Sequence, residues 1–180
     1  MVDLRKLRWP EDRLALLALD TSFSTERIHR VATTPNGFVM NEGSISPPLD
    51  RAFDLTGEVD QIPAMDDVWI AEVDNRLVGI AALSFDRLDR RAIVRHLYVD
   101  RAFRRQGVGG ALMDAVVARA ALEGLRCVWL ETQDVNYDAV RFYRRAGFQW
   151  CGLDLSLDDR DGSPNDETAI FFMLQLESAP

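Results

Sequence analysis

Cysteine is scarce in this chain of 180 residues. Cys127 and Cys151 are the only two, too few for the disulfide framework of a small secreted domain. Both lie in apolar, strand-like surroundings, where buried free thiols are expected. Histidine is equally scarce. His29 and His96 show no zinc-ligand spacing, so no metal is expected, and His96, inside a strand-like run, is expected to be structural. No apolar run approaches the roughly 18 residues of a membrane-crossing helix. The segment Met1-Val2-Asp3-Leu4-Arg5-Lys6-Leu7-Arg8 has neither the apolar core nor the small-residue cleavage site of a secretory signal. A positive net charge is missing too. The 21 basic and 29 acidic residues leave −8, which argues against nucleic acid as the main partner. Repeats and low-complexity segments are absent. The expectation is a cytoplasmic globular protein without membrane attachment.

Apolar residues make up 47%, enough for one domain with a sizeable core spanning 1–180. Val2 to Leu7 partly alternates and predicts a first strand, and Pro10-Glu11-Asp12 starts a helix through about Leu19. Arg27 to Val31 and Gly37 to Met40 predict two short strands around the turn Thr34-Pro35-Asn36-Gly37. Ser44 to Ala64, rich in proline and acids, predicts a loop with one helical turn. Val68 to Val73 and Arg76 to Ser84 predict a tight hairpin about Asp74-Asn75. Ala92 to Val99 is the next strand. A helix from Val108 to about Glu123 places Leu112, Met113, Val116, Val117 and Ala120 on one apolar face, and Gly124 ends it. Cys127 to Thr132 predicts a buried strand, Asn136 opens a helix, and Trp150 to Leu155 and Thr168 to Leu174 are the last strands. The class is mixed α/β, antiparallel first, with strand–helix–strand crossovers afterwards.

The most informative segment is Arg104-Arg105-Gln106-Gly107-Val108-Gly109-Gly110-Ala111-Leu112, a glycine-rich turn between a strand and a helix. The first N–H groups of a helix lack intrahelical partners and carry the positive end of the helix dipole. Such a turn suits a phosphate or pyrophosphate, and Gly107, Gly109 and Gly110 let the main chain come close to it. The alternative is a tight turn without a ligand. No lysine follows the glycines, so this is not the lysine-containing phosphate loop. Leu112 stands where the dinucleotide fingerprint needs glycine. The charges favour an anion here. Arg87, Arg90, Arg91, Arg95, Arg101, Arg104, Arg105, Arg141, Arg144 and Arg145 bracket the loop, while acids gather at 42–74 and 154–167, where they suit a cation or are solvated surface.

The strand ending Leu97-Tyr98-Val99 followed by Arg-x-x-Gly-x-Gly resembles the coenzyme A pyrophosphate loop of GNAT N-acetyltransferases. The stretch from Asn136 to Phe148, with Ala139, Phe142, Tyr143 and Gly147 between them, resembles that family's downstream helix, Asn-x-x-Ala-x-x-Phe-Tyr-x-x-x-Gly-Phe. The resemblance covers about 68–176. It implies a GNAT-like, strongly twisted central sheet flanked by helices, with 1–66 on the acceptor side and 67–176 as the cofactor-binding core. It implies acetyl-CoA (coenzyme A) as donor and direct acetyl transfer to an amine. The backbone from Arg105 through Gln106, Gly107, Val108 and Gly109 to Gly110 would hold the pyrophosphate, with Arg104 and Arg105 as charge partners. Leu97, Tyr98 and Val99 would pair with the pantetheine arm, and Val99 and Leu130 would face each other across it. Asn136, with Ala139 on the same helix, matches the pantetheine-contacting position; Asn136 equally suits a helix cap. Tyr143 matches the general acid beside the departing thiolate, the alternative being a core aromatic.

Three carboxylates on predicted strands are candidates for the base or for holding the ammonium: Glu131, where a strand leaves the core, and Glu72 and Asp154. Each also suits a solvent-facing or salt-bridged strand position. The C-terminal third is similar to streptothricin acetyltransferases: Leu130-Glu131-Thr132-Gln133, Gly152-Leu153-Asp154-Leu155 and Glu167-Thr168-Ala169 keep that subfamily's order, and Asp20-Thr21-Ser22-Phe23 resembles its N-terminal Asp-x-Ser-Phe. An expected aromatic shortly after Asp154 is missing, and Asp166 is inserted in the last motif. The resemblance implies a small cationic amine as substrate, such as the β-lysine amine of streptothricin, and a homodimer. The alternatives are a peptide, protein or polyamine amine, and a non-catalytic acetyl-CoA sensor.

Overall fold

The computed structural model describes residues 1–156 and 167–176. In chain order the elements are β1 (Asp3–Lys6), α1 (Arg13–Leu17), β2 (Phe23–Thr34), β3 (Gly37–Arg51), β4 (Asp67–Val73), β5 (Arg76–Asp86), β6 (Arg91–Val99), α2 (Val108–Leu122), β7 (Cys127–Gln133), α3 (Tyr137–Arg145), β8 (Gln149–Asp154) and β9 (Ala169–Gln175), with 3-10 turns at Val59–Ala64 and Arg101–Phe103. The class is the expected mixed α/β. Two compact units make up the chain: Met1–Phe23, Ala52–Trp129 and Gln175–Pro180 form the first, Ser24–Arg51 and Leu130–Leu174 the second.

In the first unit the strands lie in the order β1-β4-β5-β6-β7. The pairs β1–β4, β4–β5 and β5–β6 are antiparallel, with Asp3 opposite Glu72, Ile70 opposite Ile80 and Gly79 opposite Val99. Asp74 and Asn75 both take positive φ, 50° and 61°, as a two-residue turn matched to strand twist requires. From Leu77 to Leu83 every residue of β5 is buried, because both faces of this central strand are covered. Leu112, Met113, Val116 and Ala120 of α2 are buried and Asp114 is exposed, as the apolar period predicts. Gly124, at φ 65°, ends α2, and the Leu125 N–H donates back to Ala120 O at 3.0 Å, the six-to-one bond of a glycine-terminated helix.

The second unit holds a two-stranded β2–β3 ribbon and the strand order β7-β9-β8. Strands β8 and β9 are antiparallel, Gln149 opposite Met173. Tyr143 of α3 packs its ring 5.9 Å from Phe148 and 6.1 Å from Phe172. Strand end and ribbon are tied through Asp134: its O accepts from His29 N at 2.8 Å, and its N–H donates to Thr168 O at 2.9 Å.

Three expectations are corrected. The first helix is only Arg13–Leu17, and the Asp12 carboxylate at its start makes no cap, accepting instead from Arg5 at 2.7 Å and from Arg8 N at 2.7 Å. The two short strands are a long ribbon, β3 running through Pro47 and Pro48 to Arg51. Proline is tolerated in a ribbon where its missing N–H would face outward, so composition alone suggested a loop. Cys151 is exposed; it is the extra residue of the bulge between the Trp150–Phe172 and Gly152–Phe171 pairs, which upsets the inward alternation. The Asp158, Asp159, Asp161 and Asp166 acids, and the insertion in the last motif, lie outside the described residues.

Gly79 is closely packed. A Cβ there would stand 3.0 Å from Tyr98 O, 3.1 Å from Leu112 Cδ1 and 3.2 Å from Val108 Cγ1. Gly79→Val is therefore expected to lower stability by about 1–3 kcal/mol, the usual cost of overpacking. Urea unfolding checks this, and an unchanged midpoint would show that α2 can yield.

Candidate active site

In the first unit β6 delivers the chain to the glycine loop. Asp100, 4% exposed, caps the following 3-10 turn by accepting from Ala102 N at 3.0 Å. Gln106 Nε2 donates to Ala102 O at 2.9 Å. Arg105 takes φ 60° and Gly107 φ 87°, and this left-handed step turns the chain into α2. Gly107 supplies no side-chain cap, so the amides of the first turn depend on a partner from outside the helix. A Cβ on Gly107 or Gly110 would meet nothing within 4 Å, so the approach to the loop is open. Val108, 1% exposed, anchors the helix start against Gly79. The donor set and the clear space fit a pyrophosphate.

Leu97, Tyr98 and Val99 are half-buried at the end of β6. Burial first, and Glu58 second, push the Tyr98 phenol up to about 12, so it stays protonated at neutral pH. The Arg104 guanidinium donates to main chain: Nε to Val99 O at 3.0 Å and Nη1 to Ser22 O at 2.6 Å. Glu72 accepts from Arg5 at 2.6 Å, and Arg5 also holds Asp12. Burial would raise the Asp12 carboxyl, but the Arg5 and Arg8 hydrogen bonds win and hold it below the ordinary range. His96 is buried as expected, yet its Nδ1 has no hydrogen-bond partner among the described residues and lies 3.7 Å from Glu58.

In the second unit Asn136 caps α3, accepting from Ala139 N at 3.3 Å. Tyr143, 7% exposed, sits among aromatic rings. Glu131 is exposed between buried Leu130 and Thr132 of β7. Asp154 ends β8 and accepts from Ser156 N and Oγ, both at 2.7 Å. Thus the structure gathers Tyr98, Val99, Arg104 and the glycine loop in one unit, and Glu131, Asn136 and Tyr143 in the other, while Glu72 belongs to the Arg5 network. Sequence reasoning missed Asp100 and Asp134. For Asp100 a signal existed, an aspartate standing between a strand and a short turn; for Asp134 none did. Among the described residues no cluster of His, Cys, Asp or Glu could hold a metal ion, and no helix is long and apolar enough to cross a membrane.

A family model described as the acetyltransferase (GNAT) family matches residues 40–148. Streptothricin acetyltransferase of Streptomyces lavendulae is 33% identical over 171 residues, 91% of this chain and 90% of that protein. The crystal structure of nourseothricin acetyltransferase matches with a TM-score of 0.84 at 34% identity, covering 98% of this chain and 99% of that one. A Bacillus anthracis str. Ames protein in complex with acetyl coenzyme A shares the fold, with a TM-score of 0.81 at 22% identity over 98% and 100% of the two chains. The family match and the whole-length similarity together define an acyl-transferring enzyme. The chain belongs to the acetyltransferase (GNAT) family and is an acetyl-CoA-dependent N-acetyltransferase.

The two buried histidines generate a pH prediction. Burial lowers both below the ordinary 6.5; Glu58 opposes this at His96 and Arg95 adds to it, while Glu42 opposes it at His29 and Arg144 and Arg27 add to it. Below 6.5 the unfolded chain binds protons that the folded chain refuses. Stability is therefore complete above that pH and falls as pH drops toward the folded values, with a slope of up to about 1.4 kcal/mol per pH unit for each group. Urea midpoints between pH 7.5 and pH 5 check this on the order of half-unit steps, and His96→Gln is expected to flatten the curve.

Proposed function

We propose that this enzyme acetylates the β-lysine amine of streptothricin. The observation that carries the proposal is similarity to the Streptomyces lavendulae streptothricin acetyltransferase along 91% of the chain and 90% of that protein. Bound acetyl-CoA supplies the acetyl group as an activated thioester. The amides from Arg105 to Gly110 would hold its pyrophosphate, Arg105 adding positive charge, and Leu97, Tyr98 and Val99 would line the pantetheine arm together with Asn136 and Ala139. An acceptor amine has an ordinary pKa of about 10.4 and must lose a proton before attack. We assign that proton to the Glu131 carboxylate, directly or through water, with Asp154 as a further acidic group for a cationic acceptor, Glu72 being engaged by Arg5. We assign the proton needed at the leaving sulfur to Tyr143 Oη, which donates without ionising first. We propose a cytoplasmic location and a homodimer as part of the same reading, the homodimer read by sedimentation.

Mass spectrometry of a panel containing streptothricin, lysine, spermidine and short peptides is expected to show one acetyl gained on streptothricin alone. Acetylation of peptides or spermidine instead would replace the acceptor, and cofactor binding without any transfer would favour the sensor reading. Tyr143→Phe is expected to lower kcat by about a hundredfold, within the usual range for a general acid, while acetyl-CoA affinity holds. Gly109→Leu is expected to abolish acetyl-CoA binding in calorimetry, and an unchanged affinity would remove the loop from the cofactor site.

A further inference from the structure

The first arginine of the Arg-x-x-Gly-x-Gly run donates to main-chain carbonyls outside that run. The Arg104 guanidinium spans two pieces of main chain. On one side Nε donates to Val99 O at 3.0 Å, at the end of β6. On the other, Nη1 donates to Ser22 O at 2.6 Å and Nη2 reaches Asp20 O at 3.4 Å. Its neighbours work in the same direction. Arg101 N donates to the same Asp20 O at 2.9 Å, and Arg101 Nη1 to Ser22 Oγ at 3.3 Å. Asp20 N donates to the buried Asp100 carboxylate at 3.4 Å.

The loop held in this way builds a wall. Thr21 Oγ1 donates to Phe53 O at 2.6 Å and accepts from Phe53 N at 3.0 Å. This pair of hydrogen bonds fixes the Phe53 main chain, and the Phe53 ring lies 5.6 Å from Tyr98. Between the two segments is a cavity of about 210 Å³ lined by Leu16, Asp20, Ser22, Phe53, Asp54 and Leu55. Asp20 is kept ionised by hydrogen bonds from Ser22, and Asp54 likewise by Thr56. The cavity therefore stands one guanidinium away from the strand end that is to line the thioester arm.

We propose that Arg104 is a positioning residue for the acceptor: its guanidinium sets the Asp20–Ser22 loop and its cavity against Val99, instead of contacting a phosphate. The proposal rests on the reading of Leu97–Val99 and the glycine loop as the coenzyme side. Lysine cannot replace this arginine, because one ammonium lacks the planar fork that reaches both carbonyls. The side chain thereby links the coenzyme loop to the acceptor wall.

The test compares Arg104→Met, Arg104→Lys and Arg105→Met with wild type in steady-state kinetics with acetyl-CoA and streptothricin. Calorimetric acetyl-CoA affinity and amide hydrogen exchange over residues 20–23 are measured on the same proteins. For both Arg104 variants the acceptor KM is expected to rise about tenfold or more, the size of a lost charge-assisted hydrogen bond, with acetyl-CoA affinity within about twofold and faster exchange over Thr21 and Ser22. Arg105→Met is expected to weaken acetyl-CoA instead. A loss of acetyl-CoA affinity in the Arg104 variants with acceptor KM unchanged, or exchange identical to wild type, would overturn the proposal. Should Arg104→Met fail to fold, Arg104→Lys, which keeps the charge and stem, gives the same readings. Should wild type transfer nothing to streptothricin, the acceptor reading fails, while exchange and calorimetry still decide the role of Arg104.

Discussion

The close approach at Gly79 fixes where the helix behind the glycine loop begins. Val108 and Leu112 crowd the position a Cβ would need, and Tyr98 O stands as near. One residue without a side chain thus brings β5, β6 and the first turn of α2 within contact distance. The amides of that turn are oriented by buried packing and not by the loop itself, which matters because Gly107 and Gly110 have open space beside them. A glycine loop with free space on its ligand side would wander if its helix could slide. Preorganisation of an anion site depends on holding donors still before the ligand arrives, and here a packed core supplies that constraint.

Charge is used in the same economical manner. Many acids that the sequence offers to a cationic substrate are engaged within the chain: Glu72 and Asp12 by Arg5, Asp60 by Arg13, Glu42 by Arg27, and Asp67 by Lys6 and Arg119. The exposed pairs contribute little to stability. The partly buried Arg5 network is different, since removing one partner would strand a desolvated charge. Asp20 and Asp54 differ from these acids in accepting from local groups, Asp20 from Ser22 N and Oγ and Asp54 from Thr56 N. Both line one cavity.

How much was legible in the sequence follows from the range of the interactions. The Asp74-Asn75 turn, the α2 face, the Gly124 stop and the Asn136 cap are local, and each residue type carries its own backbone or hydrogen-bonding preference. The glycine loop is local too, which is why it could be read first. The long ribbon was not legible, because prolines at 47 and 48 hide a strand whose partner, not its composition, defines it. The missing side-chain cap of α1 reflects Arg5 capturing Asp12. The direction of Arg104 depends on carbonyls more than seventy positions earlier in the chain, and no periodicity reports such a contact.

The same distinction bears on what the C-terminal motifs mean. Glu167 holds Arg51 at 2.6 Å, Thr168 N donates to Asp134 Oδ1 at 3.1 Å, and Ala169 is 1% exposed opposite Asp154 in the β8–β9 ladder. Asp134, whose carboxyl burial raises, in turn receives His29 N on its carbonyl. The Glu-Thr-Ala run therefore joins strand end, ribbon and β9 within the second unit, through groups turned toward protein. Motifs of this kind carry a scaffold from one family member to another without carrying an acceptor. Specificity then has to come from residues that the scaffold leaves facing solvent, and Asp20, exposed on the loop whose carbonyls Arg104 holds, is one of them.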